Sequence, residues 1–561
     1  MLARCREGES FRAGFCRIPL GGAGRGETEY PGYARRGLAL ILLGRGFDSR
    51  RLHQGLGRGL GVPAQFCFYR VMVWERYREI IGDWERFWEF ARTPQPRTLR
   101  IQRGRISPDE LLERLEAQGF RLEPLDFPPH FYRVVREPFP ITKTLEHWLG
   151  YFYIQESVMG LAAWALLGPT NPQSVLDLCA APGGKATHLA DLLPDGSVVA
   201  SDTSTRRIRA LASNVFRTGC LNVMVVHSDG RAFPEGALFD AVLVDVPCSA
   251  EGNLRDDPAV LREPTRGYRR QVVSLQQALL RRAASLVRPG GTILYVTCTF
   301  APEENEAVVD QVLRDVPDLD VEPIELPVPH EPGLRRFETV TFDRRLELAW
   351  RVYPYHMDSG GLFMVRLRKA GGEEGGEPLP EPPLVYPGAA LREGEARRKV
   401  VSAVTSFQEE FGVDGAVLEG LRWLVAGRTI WAHRCAAWPA ALWKPGGSWR
   451  LVSCGIRAFS PWKGGYRPTS WFLQWLGPSL KARKLFCSEE EWGRLLAGQP
   501  VEARGLADGF VALGIEGSII GLGFARGGKV RHMLPVERAA QLQEVLALRA
   551  GHPMSRLDGD R

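Results

Sequence analysis

The 561-residue chain is predicted to be an α/β protein built around a mainly parallel sheet. Short apolar runs alternate with amphipathic stretches between residues 150 and 370, which is the pattern of strands joined by crossover helices. A glycine-rich turn separates the first of these strands from its helix. The predicted strands are 175–178, 198–201, 223–227, 241–244 and 292–296, followed by an antiparallel edge strand at 362–367; the predicted helices are 185–193, 204–218, 271–287 and 302–312.

The flanking segments differ from this region in composition. Residues 1–70 are rich in Gly and Arg, so we expect them to be disordered, with a start codon assigned too far upstream or an Arg-rich transit peptide as alternatives. Residues 71–147 are predicted to form a small α+β domain with helices at 73–81 and 109–116 and a strand at 97–101. The remaining predicted divisions are the parallel-sheet domain at 148–369, a linker at 370–388, and two small mixed domains at 389–500 and 501–550.

Charge and cysteine content exclude several classes of protein. The first seventy residues, with twelve Arg, no Lys and five acidic residues, account for the whole net charge of +7, so net charge does not by itself indicate a nucleic-acid partner. The ten cysteines include no C-x-x-C pair, so we expect no disulfides, no metal and a reducing, cytoplasmic location. No apolar run approaches the roughly 18 residues that span a bilayer, so we expect no membrane partner.

A cofactor site is predicted at the turn between the first strand and its helix. Ala181-Pro-Gly-Gly-Lys185 places backbone N–H groups and a helix N-terminus at the carboxyl end of the strand. Asp202 ends the next strand, where a carboxylate can bind ribose hydroxyls. Neither G-x-G-x-x-G nor the phosphate-loop pattern is present, so S-adenosylmethionine fits better than a dinucleotide. A tight turn without a ligand is the alternative, and Asp229 is either an adenine contact or an ordinary turn residue.

Two cysteines follow predicted strands that end at the same edge as this turn. Cys248 stands in Asp245-Val-Pro-Cys-Ser249 and Cys298 in Thr297-Cys-Thr299. Because parallel sheets collect active-site residues at the carboxyl ends of strands, two thiols at one rim indicate nucleophilic chemistry. The alternative for each cysteine is a small buried apolar residue, which is the usual state of a free thiol.

Together these motifs resemble the RNA cytosine carbon-5 methyltransferases of the Nol/Nop/Sun family, in particular the bacterial RsmF-type 16S rRNA enzymes. The resemblance implies a Rossmann-like class I S-adenosylmethionine methyltransferase core, an N-terminal α+β RNA-binding domain and small C-terminal domains, the last of them PUA-like. It covers about 71–370 well and continues weakly to the C-terminus. The matching segments include Asp177-Leu-Cys-Ala-Ala-Pro-Gly-Gly-Lys185, Asp245-Val-Pro-Cys-Ser249, Thr297-Cys-Thr299 and Pro302-Glu-Glu-Asn-Glu306.

The resemblance also implies a role for each site residue. A thiolate that adds to carbon 6 of cytosine activates carbon 5 for methylation; the family assigns this attack to Cys298 and the release of the adduct to Cys248. Asp245 is implied to hydrogen-bond the ring at nitrogen 3, with Lys185 beside it. The residues implied to line the cofactor site are Cys179, Ala180, Ala181, Pro182, Gly183, Gly184, Lys185, Asp202, Arg207, Asp229 and Asp245.

The implied partner is RNA, most of all small-subunit rRNA, and the expected state is a monomer. Three alternatives stay open: a tRNA cytosine methyltransferase, a methyltransferase acting on amines or proteins, and a catalytically idle ribosome-assembly factor. Ala250, where the family has Gly, keeps the last alternative open. Basic residues beyond Cys248 either bind phosphates or form a solvated helix face; they are Arg255, Arg262, Arg266, Arg269 and Arg270.

Overall fold

The computed structural model describes residues 74–549 and 551, with gaps at 237, 258–259, 261–264, 372–379, 381, 387–390, 437 and 444–448. The predicted disordered tail at 1–70 and most of the predicted linker therefore lie outside the described residues. Among the helices that are described, none is both long and apolar enough to cross a membrane.

The first described elements form a small α+β unit with a four-stranded antiparallel sheet. The helix expected at 109–116 and the strand expected at 97–101 are confirmed. Ser107 begins the helix by accepting the backbone N–H of Glu110 at 3.2 Å. The elements are α1 (Trp84–Ala91), β1 (Thr98–Ile101), α2 (Pro108–Glu116), β2 (Arg121–Pro124), β3 (Phe131–Arg136), α3 (Leu145–Leu149) and β4 (Phe152–Ile154), with strand order β2-β3-β1-β4.

The helix predicted over 73–81 is wrong. Residue 73 lies outside the described residues, Trp74 is helical, a 3-10 turn follows at Glu75–Tyr77, and α1 begins only at Trp84. Gly82 interrupts the helical pattern, and Asp83 starts the new helix by accepting the N–H of Arg86 at 3.0 Å. Trp74 is buried instead, and its ring lies 6.0 Å from that of Phe300. This segment therefore packs beside the loop that follows Cys298.

A ten-stranded sheet forms the centre of the protein, and its parallel part is Rossmann-like. The strand order is β11 (Glu331–Pro332), β14 (Trp350–Val352), β15 (Leu362–Lys369), β9 (Val287–Thr297), β8 (Phe239–Asp245), β5 (Ser174–Asp177), β6 (Ser197–Asp202), β7 (Val223–Ser228) and β18 (Trp449–Cys454), with β10 (Leu319–Glu322) paired to β15 outside that path. The five strands β5 to β9 are parallel to one another, and the chain reverses its direction of winding beside β5, which creates the crevice where such sheets bind ligands. All five parallel strands predicted from the sequence are confirmed: β5 (Ser174–Asp177), β6 (Ser197–Asp202), β7 (Val223–Ser228), β8 (Phe239–Asp245) and β9 (Val287–Thr297).

The crossover helices lie where the sequence predicts them, within a few residues at each end. α4 (Ser157–Leu167) precedes β5 and was not predicted; the four predicted helices are α5 (Gly184–Leu192), α6 (Thr205–Thr218), α7 (Arg266–Leu286) and α8 (Glu306–Asp315). Shorter elements complete this part of the chain: β10 (Leu319–Glu322), β11 (Glu331–Pro332), β12 (Arg336–Phe337), β13 (Val340–Thr341), β14 (Trp350–Val352), α9 (Pro354–Met357) and β15 (Leu362–Lys369).

The strand predicted at 362–367 is present as β15 and is antiparallel to β9, but its expected position at the sheet edge is wrong. β14 pairs with its other side, and β10 pairs with its far end. β14 has only three residues, too few to show an alternating apolar pattern in the sequence.

The C-terminal part adds two sheets and one strand of the central sheet. β18 pairs antiparallel with β7, so that Cys454 lies opposite Met224. The two further sheets have the orders β16-β17-β19-β20 and β21-β23-β24-β25-β22. β21, from the segment predicted as 389–500, pairs with β23, from the segment predicted as 501–550; the division into those two segments stays a prediction.

The elements of this C-terminal part, in chain order, are α10 (Glu393–Phe411), α11 (Gly415–Glu419), β16 (Arg422–Ala426), β17 (Thr429–His433), β18 (Trp449–Cys454), β19 (Ile456–Trp462), β20 (Gly465–Pro468), α12 (Ser470–Leu476), β21 (Lys484–Phe486), α13 (Glu489–Leu496), β22 (Val501–Glu502), β23 (Gly509–Ile515), β24 (Ser518–Arg526), β25 (Lys529–His532) and α14 (Val536–Arg549).

Candidate active site

The loop between β5 and α5 forms one wall of the crevice. Gly183 takes φ +109°, a conformation that favours glycine, and an added Cβ there would lie 2.9 Å from Leu211 Cδ1. The carbonyl of Pro182 accepts a hydrogen bond from Asn214 Nδ2 at 2.9 Å, and the N–H of Ala180 donates to Ser201 O at 2.8 Å. The loop is thus held by α6 and β6, with its backbone against the crevice.

Cys179 belongs to this loop but not to the reactive groups. Burial raises the pKa of its thiol well above the usual value, and the negative charges of Asp202 and Asp177 raise it further. A thiol in this position stays protonated and packs against the core, as expected from the sequence.

Asp177, the last residue of β5, is fully buried at the base of the crevice. Neither carboxylate oxygen has a hydrogen-bond partner among the described residues. Burial, and then the neighbouring charge of Asp245, raise the pKa of Asp177 to about 8. A buried carboxylate without a partner is costly unless a ligand supplies a cation or donor, so this group fits the amino group of the expected cofactor.

Asp202 ends β6 one strand away from Asp177. Its carboxylate accepts the backbone N–H of Ser204 at 2.8 Å and that of Ala181 at 3.3 Å, and it forms an ion pair with Arg207. These bonds fix the carboxylate at the carboxyl edge of the sheet, where ribose hydroxyls bind in related folds. The predicted pair Asp202 and Arg207 is therefore brought together with the glycine-rich loop.

Asp229 follows β7 and is bound to its own turn. Its carboxylate accepts the backbone N–H and the Nε–H of Arg231, both at 3.0 Å. These hydrogen bonds hold the pKa of Asp229 below its usual value. The turn alternative and the adenine-contact alternative are both compatible with this geometry, and the adenine contact stays a prediction.

Lys185 and Asp245 form an ion pair across the crevice, with Lys185 Nζ 2.8 Å from Asp245 Oδ2. Lys185 lies in the first turn of α5 and Asp245 is the last residue of β8. Burial by itself lowers the pKa of Lys185, but the charge and hydrogen bond of Asp245 more than offset it and raise the pKa. The pair therefore presents a fixed cation and a fixed acceptor at the site.

The two strand-end cysteines meet directly. Cys248 Sγ and Cys298 Sγ lie 3.3 Å apart, and both thiols are free. The hydrogen bond with Cys298, together with burial, raises the pKa of Cys248 well above the usual value. Either sulfur can donate in this contact, and the raised pKa of Cys248 favours the protonated thiol at that position.

Two buried glutamates that the sequence analysis did not single out fix the cysteine loops. Glu251 accepts hydrogen bonds from Tyr77 Oη at 3.0 Å, Thr299 Oγ1 at 2.9 Å and the N–H of Phe300 at 3.1 Å. Glu304 accepts the N–H of Ser249 at 2.9 Å and Gln276 Nε2–H at 3.0 Å. Burial raises the pKa of both carboxyls.

Each of these glutamates thus joins the loop after β8 to the loop after β9. Glu304 belongs to Pro302-Glu-Glu-Asn-Glu306, one of the segments that resemble the family. That match could have identified Glu304 as a site residue from the sequence. Glu251 had no such signal, because its partners lie 48 and 174 residues away in the sequence.

The predicted basic cluster after Cys248 divides into three parts. Arg255 is buried, donates to Thr93 O and Ser359 O and pairs with Asp358, so it does not face a phosphate. Arg269 is bound to Glu303 at 3.0 Å. Arg266 and Arg270 are exposed on α7, and Arg262 lies outside the described residues. A phosphate-binding surface is therefore limited here to the exposed side chains of α7.

Comparison with known proteins gives consistent matches. The family model described as 16S rRNA methyltransferase RsmB/F matches residues 164–368. The ribosomal RNA small subunit methyltransferase F of Erwinia tasmaniensis is 33% identical over 369 residues, which is 64% of this chain and 72% of that protein. The protein of the same name from Klebsiella pneumoniae is 30% identical over 459 residues, 79% of this chain and 90% of that protein.

Solved structures are similar over about half of the chain. A methyltransferase homologue from Pyrococcus horikoshii is 31% identical, with a TM-score of 0.46 over 53% of this chain and 94% of that one. The structure of NSun6 from Pyrococcus horikoshii with SFG is 22% identical, with a TM-score of 0.45 over 53% of this chain and 97% of that one.

Proposed function

Because the chain belongs to the RsmB/F family of 16S rRNA methyltransferases, we propose that it methylates carbon 5 of a cytosine in small-subunit rRNA through a covalent adduct with Cys298. The general activity follows from family membership: the chain is an S-adenosylmethionine-dependent RNA (cytosine-5)-methyltransferase. The target RNA and the division of labour between the two thiols are the proposed part.

The single observation that carries the proposal is the 3.3 Å contact between Cys248 Sγ and Cys298 Sγ beside the Lys185–Asp245 pair. Carbon 5 of cytosine is a poor nucleophile, and a thiolate that adds to carbon 6 converts the ring into an enamine. Cys298 is the proposed nucleophile, as the family resemblance implies, and Cys248, whose pKa is raised, lies beside it as a hydrogen-bonding thiol.

The proposed reaction consists of thiolate addition, methyl transfer and elimination. A bond forms between Cys298 Sγ and carbon 6, and the carbon 5–carbon 6 double-bond electrons become available at carbon 5. S-adenosylmethionine would supply the methyl group: a bond forms between carbon 5 and the methyl carbon, the methyl–sulfur bond breaks, and S-adenosylhomocysteine leaves. A base then removes the proton of carbon 5, the electron pair restores the double bond, and the bond to Cys298 Sγ breaks to return the thiolate. Cys248, whose sulfur lies beside the adduct, is proposed to act in this elimination: its thiol proton passes to solvent, and the resulting thiolate takes up the proton of carbon 5.

Asp245 and Lys185 orient the cytosine and neutralise charge on the ring. The Asp245 carboxylate is proposed to hydrogen-bond the ring at nitrogen 3, and Lys185 Nζ lies 2.8 Å from it. A preorganised cation next to the reacting ring stabilises developing charge more than a mobile one does. Both residues keep enough exposure to reach a bound base, with side chains that are 12% and 30% exposed for Lys185 and Asp245.

The cofactor is proposed to lie between the glycine-rich loop and the ends of β5 and β6. The buried Asp177 carboxylate would bind its amino group and Asp202 its ribose hydroxyls, while residues 179–185 contribute backbone contacts. Asp229 is proposed for the adenine. The small sheets before and after the catalytic part are proposed to hold the RNA, the last of them as a PUA-like domain, on family grounds.

The activity is tested with S-adenosylmethionine that carries a tritiated methyl group. The RNA substrates are small-subunit rRNA and tRNA from a strain that lacks the gene, and bisulfite sequencing locates the product. The expected result is label in one or a few cytosines of small-subunit rRNA, lost in Cys298→Ala and kept in Cys487→Ser. Label in tRNA alone would favour the tRNA alternative, and no label in any RNA would favour the idle assembly factor.

A further inference from the structure

Three buried side chains that could bind a metal lie together far from the catalytic crevice in sequence. His433 is the last residue of β17, Cys435 follows two residues later, and Cys454 is the last residue of β18. They are 1%, 0% and 0% exposed. The sequence analysis assigned no function to either cysteine.

The ligand atoms of the three groups lie almost close enough together to coordinate a single ion. Their ligand atoms lie within 4.8 Å of one another. Tetrahedral zinc with Zn–S bonds of about 2.3 Å and Zn–N bonds of about 2.0 Å separates its ligand atoms by about 3.5 to 3.8 Å. The atoms therefore need to approach by about 1 Å, which side-chain rotation can supply.

His433 gives the independent sign that a ligand belongs there. Neither of its ring nitrogens has a hydrogen-bond partner among the described residues, although the side chain is buried. The ring of Trp438 packs against it, with centroids 5.7 Å apart, and offers no acceptor on its face. A buried imidazole without a partner is unfavourable by a few kcal/mol. Coordination to a cation removes that cost.

We propose that His433, Cys435 and Cys454 bind one structural Zn²⁺ ion. Two thiolates balance the charge of the ion, so the buried site is neutral overall. Both thiol protons leave to solvent on binding, and no oxidant or reductant is needed. A water molecule takes the fourth tetrahedral position, as in other sites with three protein ligands.

The ion would join two sheets that meet at this point. β18 pairs with β7 at the edge of the central sheet, while β17 belongs to the sheet that contains β16, β19 and β20. The chain crosses from one sheet to the other at Gly455, whose N–H donates to Val223 O at 2.8 Å. Zinc at this junction fixes the C-terminal part against β7. The neighbour of β7 in the sheet is β6, the strand that ends in Asp202.

This proposal departs from the expectation that the chain holds no metal. That expectation depended on close pairs such as C-x-x-C, but only His433 and Cys435 are close in the sequence, and Cys454 is brought in by the pairing of β18. The proposal is also independent of the methylation reaction, because none of the three residues is assigned a part in it.

The experiment measures zinc in the purified full-length protein by mass spectrometry after gel filtration in metal-free buffer. We expect one Zn²⁺ per chain in the wild type and in Cys487→Ser, a buried cysteine outside the cluster. The double variant Cys435→Ser/Cys454→Ser should lose zinc by about tenfold or more. Retention of zinc in that variant, or no zinc in the wild type, contradicts the proposal.

A second measurement does not depend on the double variant folding well. The wild type is stripped of metal by a chelator under reducing conditions and titrated with Co²⁺. Thiolate-to-cobalt absorption and the visible bands of a tetrahedral ion are expected, and Zn²⁺ should abolish both. The same spectrum is expected from Cys248→Ser/Cys298→Ser. A spectrum that vanishes in that variant, or a Cys435–Cys454 disulfide in anaerobically purified protein, overturns the proposal.

Discussion

The backbone N–H of Gly252 donates a hydrogen bond to the carbonyl of Cys298 at 2.8 Å. The loop that carries Cys248 is therefore tied directly to the backbone of the other cysteine. Gly252 O in turn accepts the N–H of Gly361 at 3.1 Å, so three loops meet without side chains between them. The separation of the two thiols depends on this close backbone contact.

Gly252→Ala should therefore separate the thiols. An added Cβ would lie 2.4 Å from Gly361 O and 3.0 Å from Cys298 O, both backbone atoms that cannot rotate away. We expect the rate of methyl transfer to fall about 100-fold, with a loss of about 1 to 3 kcal/mol in the free energy of unfolding. Single-turnover kinetics and urea unfolding measure the two effects.

Gly267→Ala is the matched control for this prediction. Gly267 lies in the first turn of α7, and an added Cβ there meets nothing within 4 Å. It should leave the rate unchanged and raise the free energy of unfolding by about 0.5 to 1 kcal/mol. A wild-type rate in Gly252→Ala would contradict the role of the backbone contact.

Ala250→Gly should stabilise the protein. Ala250 takes φ +59°, a left-handed conformation that costs an alanine more than a glycine. We expect the free energy of unfolding to rise by about 0.5 to 1 kcal/mol. The increase is smaller than the relieved backbone strain, because glycine also gives the unfolded chain more conformational entropy. Methyl transfer should stay at least as fast as in the wild type. Ala117→Gly, at φ −58° on an exposed surface, should lower stability instead; equal effects at both positions would refute the conformational explanation.

The buried Asp177 should make stability depend on pH. Its folded pKa of about 8 lies above the unfolded value of about 3.9, so the folded protein keeps a proton that the unfolded chain releases. The contribution is fully present below pH 4 and is lost as the pH rises through 8, at about 1.4 kcal/mol per pH unit. Urea unfolding between pH 5 and 8 should show this slope in the wild type and a flatter one in Asp177→Asn.

Asp229→Asn serves as the control for the pH series. The pKa of Asp229 is lowered by Arg231, so its contribution changes only below about pH 4. Its slope between pH 5 and 8 should match that of the wild type. Identical slopes in the wild type and Asp177→Asn would show that Asp177 does not hold a proton in the folded protein.

Arg266 and Arg270 should contribute to RNA affinity, since both are exposed on α7 near the cysteine loops. Arg266→Gln/Arg270→Gln should weaken binding several-fold and reduce the salt dependence by about 0.7 to 0.9 per lost phosphate contact. Filter binding at several salt concentrations measures both. Arg281→Gln, about 20 Å further along the same helix, should leave the salt dependence unchanged.

Arg255→Gln provides the contrast. The Arg255 side chain is 1% exposed and bound to the segment at Thr93 and to Asp358. Removing it should cost about 1 to 3 kcal/mol of stability, because the carbonyls of Thr93 and Ser359 lose their buried donor. An unchanged free energy of unfolding, or an altered salt dependence in the Arg281→Gln control, would count against this division of the basic cluster.

The central sheet could be predicted because its strands are short, fully apolar runs with helices between them. The carboxyl ends of those runs also led to the predictions for Asp202, Cys248 and Cys298, whereas the role of Asp245 was implied by the family resemblance. The sequence could not indicate β18, because its partner β7 lies more than 200 residues earlier and antiparallel pairing leaves no local pattern. The same limit hid the meeting of His433, Cys435 and Cys454.

The roles of two further residues, Glu251 and Arg255, could be recognised only from the structure. The role of Glu251 depends on partners in two distant segments, at Tyr77 and at Thr299 to Phe300, so its position after Cys248 carries no signal by itself. Arg255 looks like its basic neighbours in the sequence, yet burial gives it a structural role. Charge and residue type predict chemistry, but they do not indicate which side of an element faces the core.

The central claim is that Cys298 forms the bond to cytosine and Cys248 helps to break it. The most direct measurement incubates Cys248→Ala with small-subunit rRNA and S-adenosylmethionine and separates the products on a denaturing gel. The account predicts a covalent RNA–protein adduct that accumulates in Cys248→Ala and is absent from Cys248→Ala/Cys298→Ala. No adduct in the single variant, or an adduct that persists in the double variant, would contradict it.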